Sequence, residues 1–203
     1  MLTLYEFSKS GNCYKIRLLL NQLQLPYVRV EKNILKGETR TPEFLSLNPN
    51  GRLPVVQIES GDVLVESNSI LFYFAEGTNY LPEDQLGRQQ VLQWMFFEQY
   101  NLEPNVGSVR FWFMQDKTED DPEWPNIKKK KEKGYEALHV MEKHLGGVQE
   151  KYFVQNRYTI ADIALYAYAH VATEGGFELL NFPNIQQWLK NVESQPNYLL
   201  ISA

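Results

Sequence analysis

All convincing strand patterns of this chain fall within its first third, and beyond Gln85 only helical periodicity is found. Strands must pair and an amphipathic helix must cover its apolar face. That asymmetry therefore restricts the 203 residues to an α/β unit followed by an all-helical one. Leu2 to Phe7 reads as a short strand, Ser8 to Asn12 as a polar turn, and Tyr14 to Leu25 as a helix with Ile16, Leu19, Leu20 and Leu23 on one face. Pro26 closes that helix and Tyr27 to Val30 forms the next strand. A strand-helix-strand unit of this length makes two parallel strands joined by a right-handed crossover. A short helix from Pro42, capped by Thr41, comes next. Leu53 to Ile58 and Val63 to Val65 are β-branched runs joined by Glu59-Ser60-Gly61-Asp62, which has the composition of a hairpin turn. A helix follows at once, with Ser67 or Ser69 as its cap and Ile70, Leu71, Phe72 and Phe74 as its apolar side.

The order β-α-β-α-β-β-α predicts a four-stranded mixed sheet over residues 1–78. Residues 79–84, which include Pro82, read as a linker, and residues 85–203 as an all-α domain. Its helical patterns run from Gln89 to Met114, Asn126 to Leu145, Thr159 to Thr173 and Ile185 to Glu193. Pro104 is expected to kink the first of these near Tyr100. Thr159-Ile160-Ala161-Asp162 has capping-box spacing, a structural signal that carries no chemistry.

Composition excludes several function classes. A net charge of -5 lacks the basic footprint of a nucleic-acid binder, and the run from Lys128 to Lys131 is balanced by acidic neighbours as a solvated helix face. One cysteine permits no internal disulfide, and His139, His144 and His170 are too scattered to hold a metal. No apolar span reaches the roughly 18 residues a membrane helix needs, and no signal peptide is evident, so the expected compartment is the cytoplasm.

Three features exceed what the fold requires. Pro54 sits inside a strand pattern, where it donates no ladder hydrogen bond and leaves an edge open. Glu66-Ser67 sits where strand turns into helix, placing a carboxylate beside the backbone amides of a helix start. Such a start binds anions, while Glu66 attracts an ammonium group, so the pair suits the zwitterionic end of an amino acid. The turn after the first strand puts Ser8, Ser10, Asn12 and Cys13 at a helix start beyond a parallel strand, where ligands gather in α/β units. A serine there can equally be only a cap, and Cys13 can be a packed thiol or a reactive one.

In order and spacing, three segments resemble the soluble glutathione transferases. They are Ser10-Gly11-Asn12-Cys13-Tyr14-Lys15-Ile16-Arg17, Asn48-Pro49-Asn50-Gly51-Arg52-Leu53-Pro54-Val55 and Glu66-Ser67-Asn68-Ser69-Ile70, and the likeness is to the bacterial and theta-like members that use serine. With the capping box and the helical second half, it covers nearly the whole chain. The resemblance implies a thioredoxin-like first domain that binds glutathione as co-substrate, without a metal. Pro54 matches the family's cis proline, which turns the backbone of Leu53 toward the cysteinyl unit. Glu66 and Ser67 match the pair that takes the γ-glutamyl end. Arg52 can reach a ligand carboxylate, and Asn12, in the turn that holds Ser10, is a further glutathione-binding candidate. Ser10 matches the serine that donates to the thiol sulfur and favours thiolate. Ser8, Asn12, Tyr5 and Cys13 stay open as alternatives. Thr39 and Arg40 stand where many relatives carry a histidine, which leaves the glycyl-end contacts open.

The resemblance further implies a homodimer and a second pocket between the domains for a small apolar electrophile, with Tyr100, Asn101, Arg110 and Phe111 as its candidate lining. The leading expectation is conjugation of the glutathione thiolate to that electrophile. A glutathione-dependent isomerase, dehalogenase or peroxide reductase uses the same thiolate. A non-catalytic docking module is the alternative of a different class.

Overall fold

The computed structural model describes residues 1–147 and 150–203 and resolves them into two units, residues 1–78 with 196–203 and residues 79–195. In the first unit, strands β1 (Leu2–Glu6), β2 (Tyr27–Glu31), β3 (Val55–Gln57) and β4 (Val63–Val65) form a four-stranded mixed sheet in the order β2-β1-β3-β4. β1 runs parallel to β2, with Leu4 opposite Arg29, and antiparallel to β3, with Leu4 opposite Val56. β4 returns antiparallel along β3. Leu4, Val55 and Val56 are fully buried, so the central strands β1 and β3 carry the core of the sheet, while β2 and β4 hold no buried residue.

Helix α1 (Gly11–Gln22) begins three residues before the expected Tyr14, because Ser10 caps it by accepting from the Cys13 amide at 3.4 Å. It stops short of Leu25, with Gln24 left-handed at φ 55° ahead of Pro26. Helix α2 (Pro42–Leu47) is capped by Thr41, as its composition indicates. Helix α3 (Ser67–Ala75) departs from expectation. Its N-cap is Glu66, which makes no side-chain capping bond, so neither Ser67 nor Ser69 serves as the cap.

The last eight residues, which the sequence assigns to the helical domain, cluster with the first unit. The Tyr14 hydroxyl donates to the Leu199 carbonyl at 2.6 Å, and Arg17 donates to the carbonyls of Ser8 and Ile201, both at 2.8 Å. Arg17 and Arg29 also pair with the buried Glu6, Arg17 at 3.0 Å. Burial raises the Glu6 carboxyl above its usual range, and the Arg17 charge is the first of the influences opposing it.

The second unit is helical: α4 (Gln85–Phe97), α5 (Ser108–Phe113), α6 (Trp124–Gly147), α7 (Ile160–Ala169) and α8 (Pro183–Glu193). Between α4 and α5 the chain is π-helical over Glu98–Gly107, and Pro104 lies inside that stretch. The expected interruption near Tyr100 thus takes the form of wider turns, a pattern that tolerates the missing proline N–H. Every residue of α7 is buried. Its capping box is formed: Thr159 Oγ1 accepts from the Ala161 amide at 3.2 Å, and the Asp162 carboxylate accepts from the Thr159 amide at 2.9 Å. Asp162 also accepts from the Phe153 amide at 3.1 Å and from Trp188 Nε1 at 2.9 Å, which ties three segments to one buried carboxylate.

Candidate functional site

The turn from β1 into α1 and the segment before β3 enclose a cavity of about 270 Å³. Ser10 lines it, with Phe7 beside it and Thr39, Arg40, Gly51, Arg52 and Leu53 on the remaining wall. The Ser10 oxygen accepts from the Cys13 amide, which occupies a lone pair and leaves the hydroxyl proton without an acceptor among the described residues. Capping and donation to a ligand are therefore compatible roles for one hydroxyl.

Of the residues left open for that donation, Ser10 alone lines the cavity. Ser8 is engaged elsewhere, its amide donating to both Glu31 carboxylate oxygens at 3.0 Å and its hydroxyl to one of them at 3.3 Å. Tyr5 packs edge-on against Phe44. Cys13 is fully buried, and burial pushes its thiol up to about 12, so it holds no thiolate near neutral pH. The Asn12 carbonyl oxygen accepts from the Ser67 hydroxyl at 3.0 Å.

The peptide bond between Leu53 and Pro54 is cis, and Pro54 is buried. The Leu53 amide and carbonyl have no partner among the described residues. Gly51 has φ 63°, and a side chain there would collide with the Arg40 guanidinium, so glycine lets that group lie against the turn. Arg40 Nη1 donates to the Asn50 carbonyl at 2.9 Å. Two cationic side chains, Arg40 and Arg52, thus share the wall of one small cavity, a suitable arrangement for a carboxylate. Sequence reasoning placed Arg40 near the ligand without giving it a role. The glycine eleven positions later was the signal that something approaches this turn closely.

Glu66 is exposed and held at φ 66°, ψ 110°, a conformation that costs a non-glycine residue about 1–3 kcal/mol and gathers at ligand sites. Ser67 occupies the first helical position of α3, so its backbone amide is one of the unpaired donors of a helix start. Its hydroxyl is already engaged, donating to Asn12 and accepting from Lys15 Nζ at 3.3 Å.

In the second unit, Tyr100 and Asn101 line a cavity of about 580 Å³ between the π-helical stretch and α6, together with Pro104, Lys133 and Glu136. Arg110 and Phe111 are outside its lining. Arg110 is buried and donates to Glu174 at 2.7 Å, so its side chain serves the helical core.

Comparison with known proteins gives this geometry a family. Residues 1–76 match the N-terminal domain of glutathione S-transferases and residues 108–196 match the C-terminal domain. A glutathione S-transferase from Pseudomonas fluorescens is 46% identical, and the superposition covers 100% of this chain and 99% of that one at a TM-score of 0.95. This chain belongs to the glutathione S-transferase family. A glutathione transferase from Burkholderia graminis, solved with two glutathione molecules bound per subunit, is 26% identical at a TM-score of 0.82, over 97% of this chain and 85% of that one. The disulfide-bond oxidoreductase YfcG of Escherichia coli is 29% identical over 97% of this chain and 92% of its own length. As a glutathione S-transferase the chain pairs a thioredoxin-like first domain with a helical second one. Among the described residues no group of three or more side chains could hold a metal ion, and no helix is long and apolar enough to cross a membrane.

Proposed function

We propose that this transferase binds glutathione along the cavity between the β1–α1 turn and the Gly51–Pro54 segment, and joins the glutathione thiolate to small, largely apolar electrophiles. The observation that carries the reading is the Ser10 hydroxyl, which caps α1 through its oxygen and still offers its proton to a cavity that also holds two guanidinium groups. In this reading Ser10 stabilises the thiolate and the open backbone of Leu53 pairs with the cysteinyl unit. Arg40 and Arg52 take the glycyl carboxylate. The γ-glutamyl end lies at Glu66 and the Ser67 amide. A hydrogen bond to sulfur favours the charged form, so the free thiol value near 8.5 falls toward neutrality and the nucleophile is available without a protein base. The electrophile is assigned to the wall formed by Tyr100 and Asn101. Calorimetric titration with glutathione is expected to give saturable heat, and an aryl-halide assay is expected to show conjugation. Absence of saturable heat would instead identify a docking module.

The likeness to YfcG supports a second use of the same thiolate, attack on a disulfide sulfur rather than on carbon. The bound thiolate would form a mixed disulfide with one half of the substrate and release the other half as a thiolate. A second glutathione thiolate would then attack the glutathione sulfur of that mixed disulfide, releasing the remaining substrate half as a thiolate and oxidised glutathione as the product. Because Cys13 is buried, the sulfur in either reaction belongs to glutathione. Running the aryl-halide assay beside a disulfide-reduction assay coupled to glutathione reductase decides which reaction dominates.

For the homodimer that the family implies, the exposed apolar face of α4 is the proposed contact. Leu92 and Phe96 on α4 lie four apart on one helix face, Phe96 is 71% exposed, and Val140 on α6 is also exposed. Sedimentation equilibrium is expected to give twice the mass of one chain. Phe96→Glu, which places a charge on that face, is expected to shift the protein to the single-chain mass. A wild-type protein that sediments as one chain removes the dimer from the proposal.

A further inference from the structure

Lys15 lies in α1, where a lysine is ordinarily solvated, yet it is fully buried. Its Nζ donates to Ser67 Oγ at 3.3 Å and to Asn68 Oδ1 at 3.1 Å, two residues in the first turn of α3. An ammonium has donors and no acceptor, so the Ser67 oxygen must accept from it. The single Ser67 proton is then directed the other way, to Asn12 Oδ1 at 3.0 Å. That bond sets the Asn12 amide with its carbonyl toward Ser67 and leaves both Nδ2 hydrogens without a partner among the described residues. Asn12 is the second residue of α1, two positions after Ser10, which lines the cavity; Asn12 itself lies outside that lining.

We propose that Lys15 is a positioning residue of the glutathione site. Through the relay Lys15 to Ser67 to Asn12 it fixes which groups the site presents: Nδ2 donors from Asn12 and the backbone amide, rather than the hydroxyl, from Ser67. The relay also joins the start of α1 to the start of α3, so the two helix N-termini that meet the ligand are held by one buried cation. This inference rests on the proposed placement of glutathione.

The test is a double-mutant cycle on glutathione affinity, read by calorimetry on the 203-residue chain, with thermal unfolding measured alongside. Lys15→Met keeps most of the aliphatic volume and removes the donor. It is expected to weaken binding about tenfold, an amount in keeping with one charge-assisted hydrogen bond. In a Ser67→Ala background the same substitution is expected to cost less than about twofold, since residues acting through one network do not add. Full additivity would show that Lys15 acts on packing alone and would overturn the proposal. Asn12→Asp supplies a second variant that leaves the buried lysine in place. Asp still accepts from Ser67 but has no donor to present, so binding is expected to fall about tenfold if the Nδ2 hydrogens face the ligand. Unchanged affinity would mean that the amide is turned the other way. Wild-type protein that shows no glutathione binding refutes the placement of glutathione itself. Wild-type binding with an unaffected Lys15→Met variant refutes only the role of Lys15.

Discussion

Ser10→Ala is expected to lower kcat/KM for conjugation by about a hundredfold, the scale seen when one hydrogen-bond donor to a developing or stabilised anion is removed. The loss should have a pH signature. With the donor gone the bound thiol ionises at higher pH, so the acid limb of the rate profile moves up and part of the activity returns in alkaline buffer. A scaffold defect would not shift that limb. Ser10 also caps α1, and losing the cap costs about 1 kcal/mol, too little to unfold a domain of this size. Ser10→Thr retains both the oxygen and the proton and is expected to keep most of the activity. Ser10→Ala with unchanged kcat/KM and an unmoved acid limb would take the thiolate role away from Ser10.

The parts of the fold that were legible in the sequence are those written in local chemistry. The β-branched runs around Gly61-Asp62 gave the hairpin, and the Thr159–Asp162 spacing gave the capping box, because strand pairing and capping depend on residues close in the chain. α1 starts three residues ahead of the position its apolar spacing indicates because Gly11, Asn12 and Cys13 are weak helix formers that the cap from Ser10 outweighs. What the sequence hid is long-range. Nothing local shows that Lys15 is buried against Ser67, fifty-two positions away, or that Arg17 reaches back to the carbonyl of Ile201. Arg40 stands in the sequence only as a residue near the glycyl end, and its place against the left-handed turn at Gly51, eleven positions on, is visible only in the fold. The same limit applies to Arg110, a candidate pocket residue by sequence that is buried and pairs with Glu174, sixty-four positions away.

The helical unit carries a buried carboxyl, Asp162, and a half-buried imidazole, His170, whose pH effects are opposite in sign, and separating them has the largest expected effect on stability. Burial raises the Asp162 carboxyl to about 6, against the pull of the amides of Thr159 and Phe153 and of Trp188 Nε1. Burial lowers the His170 imidazole to about 4, with the Tyr166 carbonyl opposing and the nearby Arg110 charge assisting. A carboxyl raised in the fold binds its proton more tightly there than in the unfolded chain, so its contribution to stability grows as pH falls from about 6 toward 4. A histidine lowered in the fold does the reverse: its contribution is complete above about 6.5 and is lost as pH falls toward 4. Through most of that window the native state gains one proton on Asp162 while the unfolded chain gains one on His170, and the pair cancels. His170→Gln should expose the Asp162 half. Relative to its own value at pH 7, the variant is expected to gain on the order of 3 kcal/mol over wild type by pH 4. Asp162→Asn should expose the other half and lose a similar amount over the same interval, beyond a pH-independent cost of about 1–3 kcal/mol from misdirecting an amide at buried N–H donors. Urea unfolding of the three proteins at several pH values between 4 and 7.5 measures both slopes. Differences from wild type that stay constant with pH would show that neither group titrates inside the fold. Slopes of the same sign in the two variants would show that the pair does not compensate.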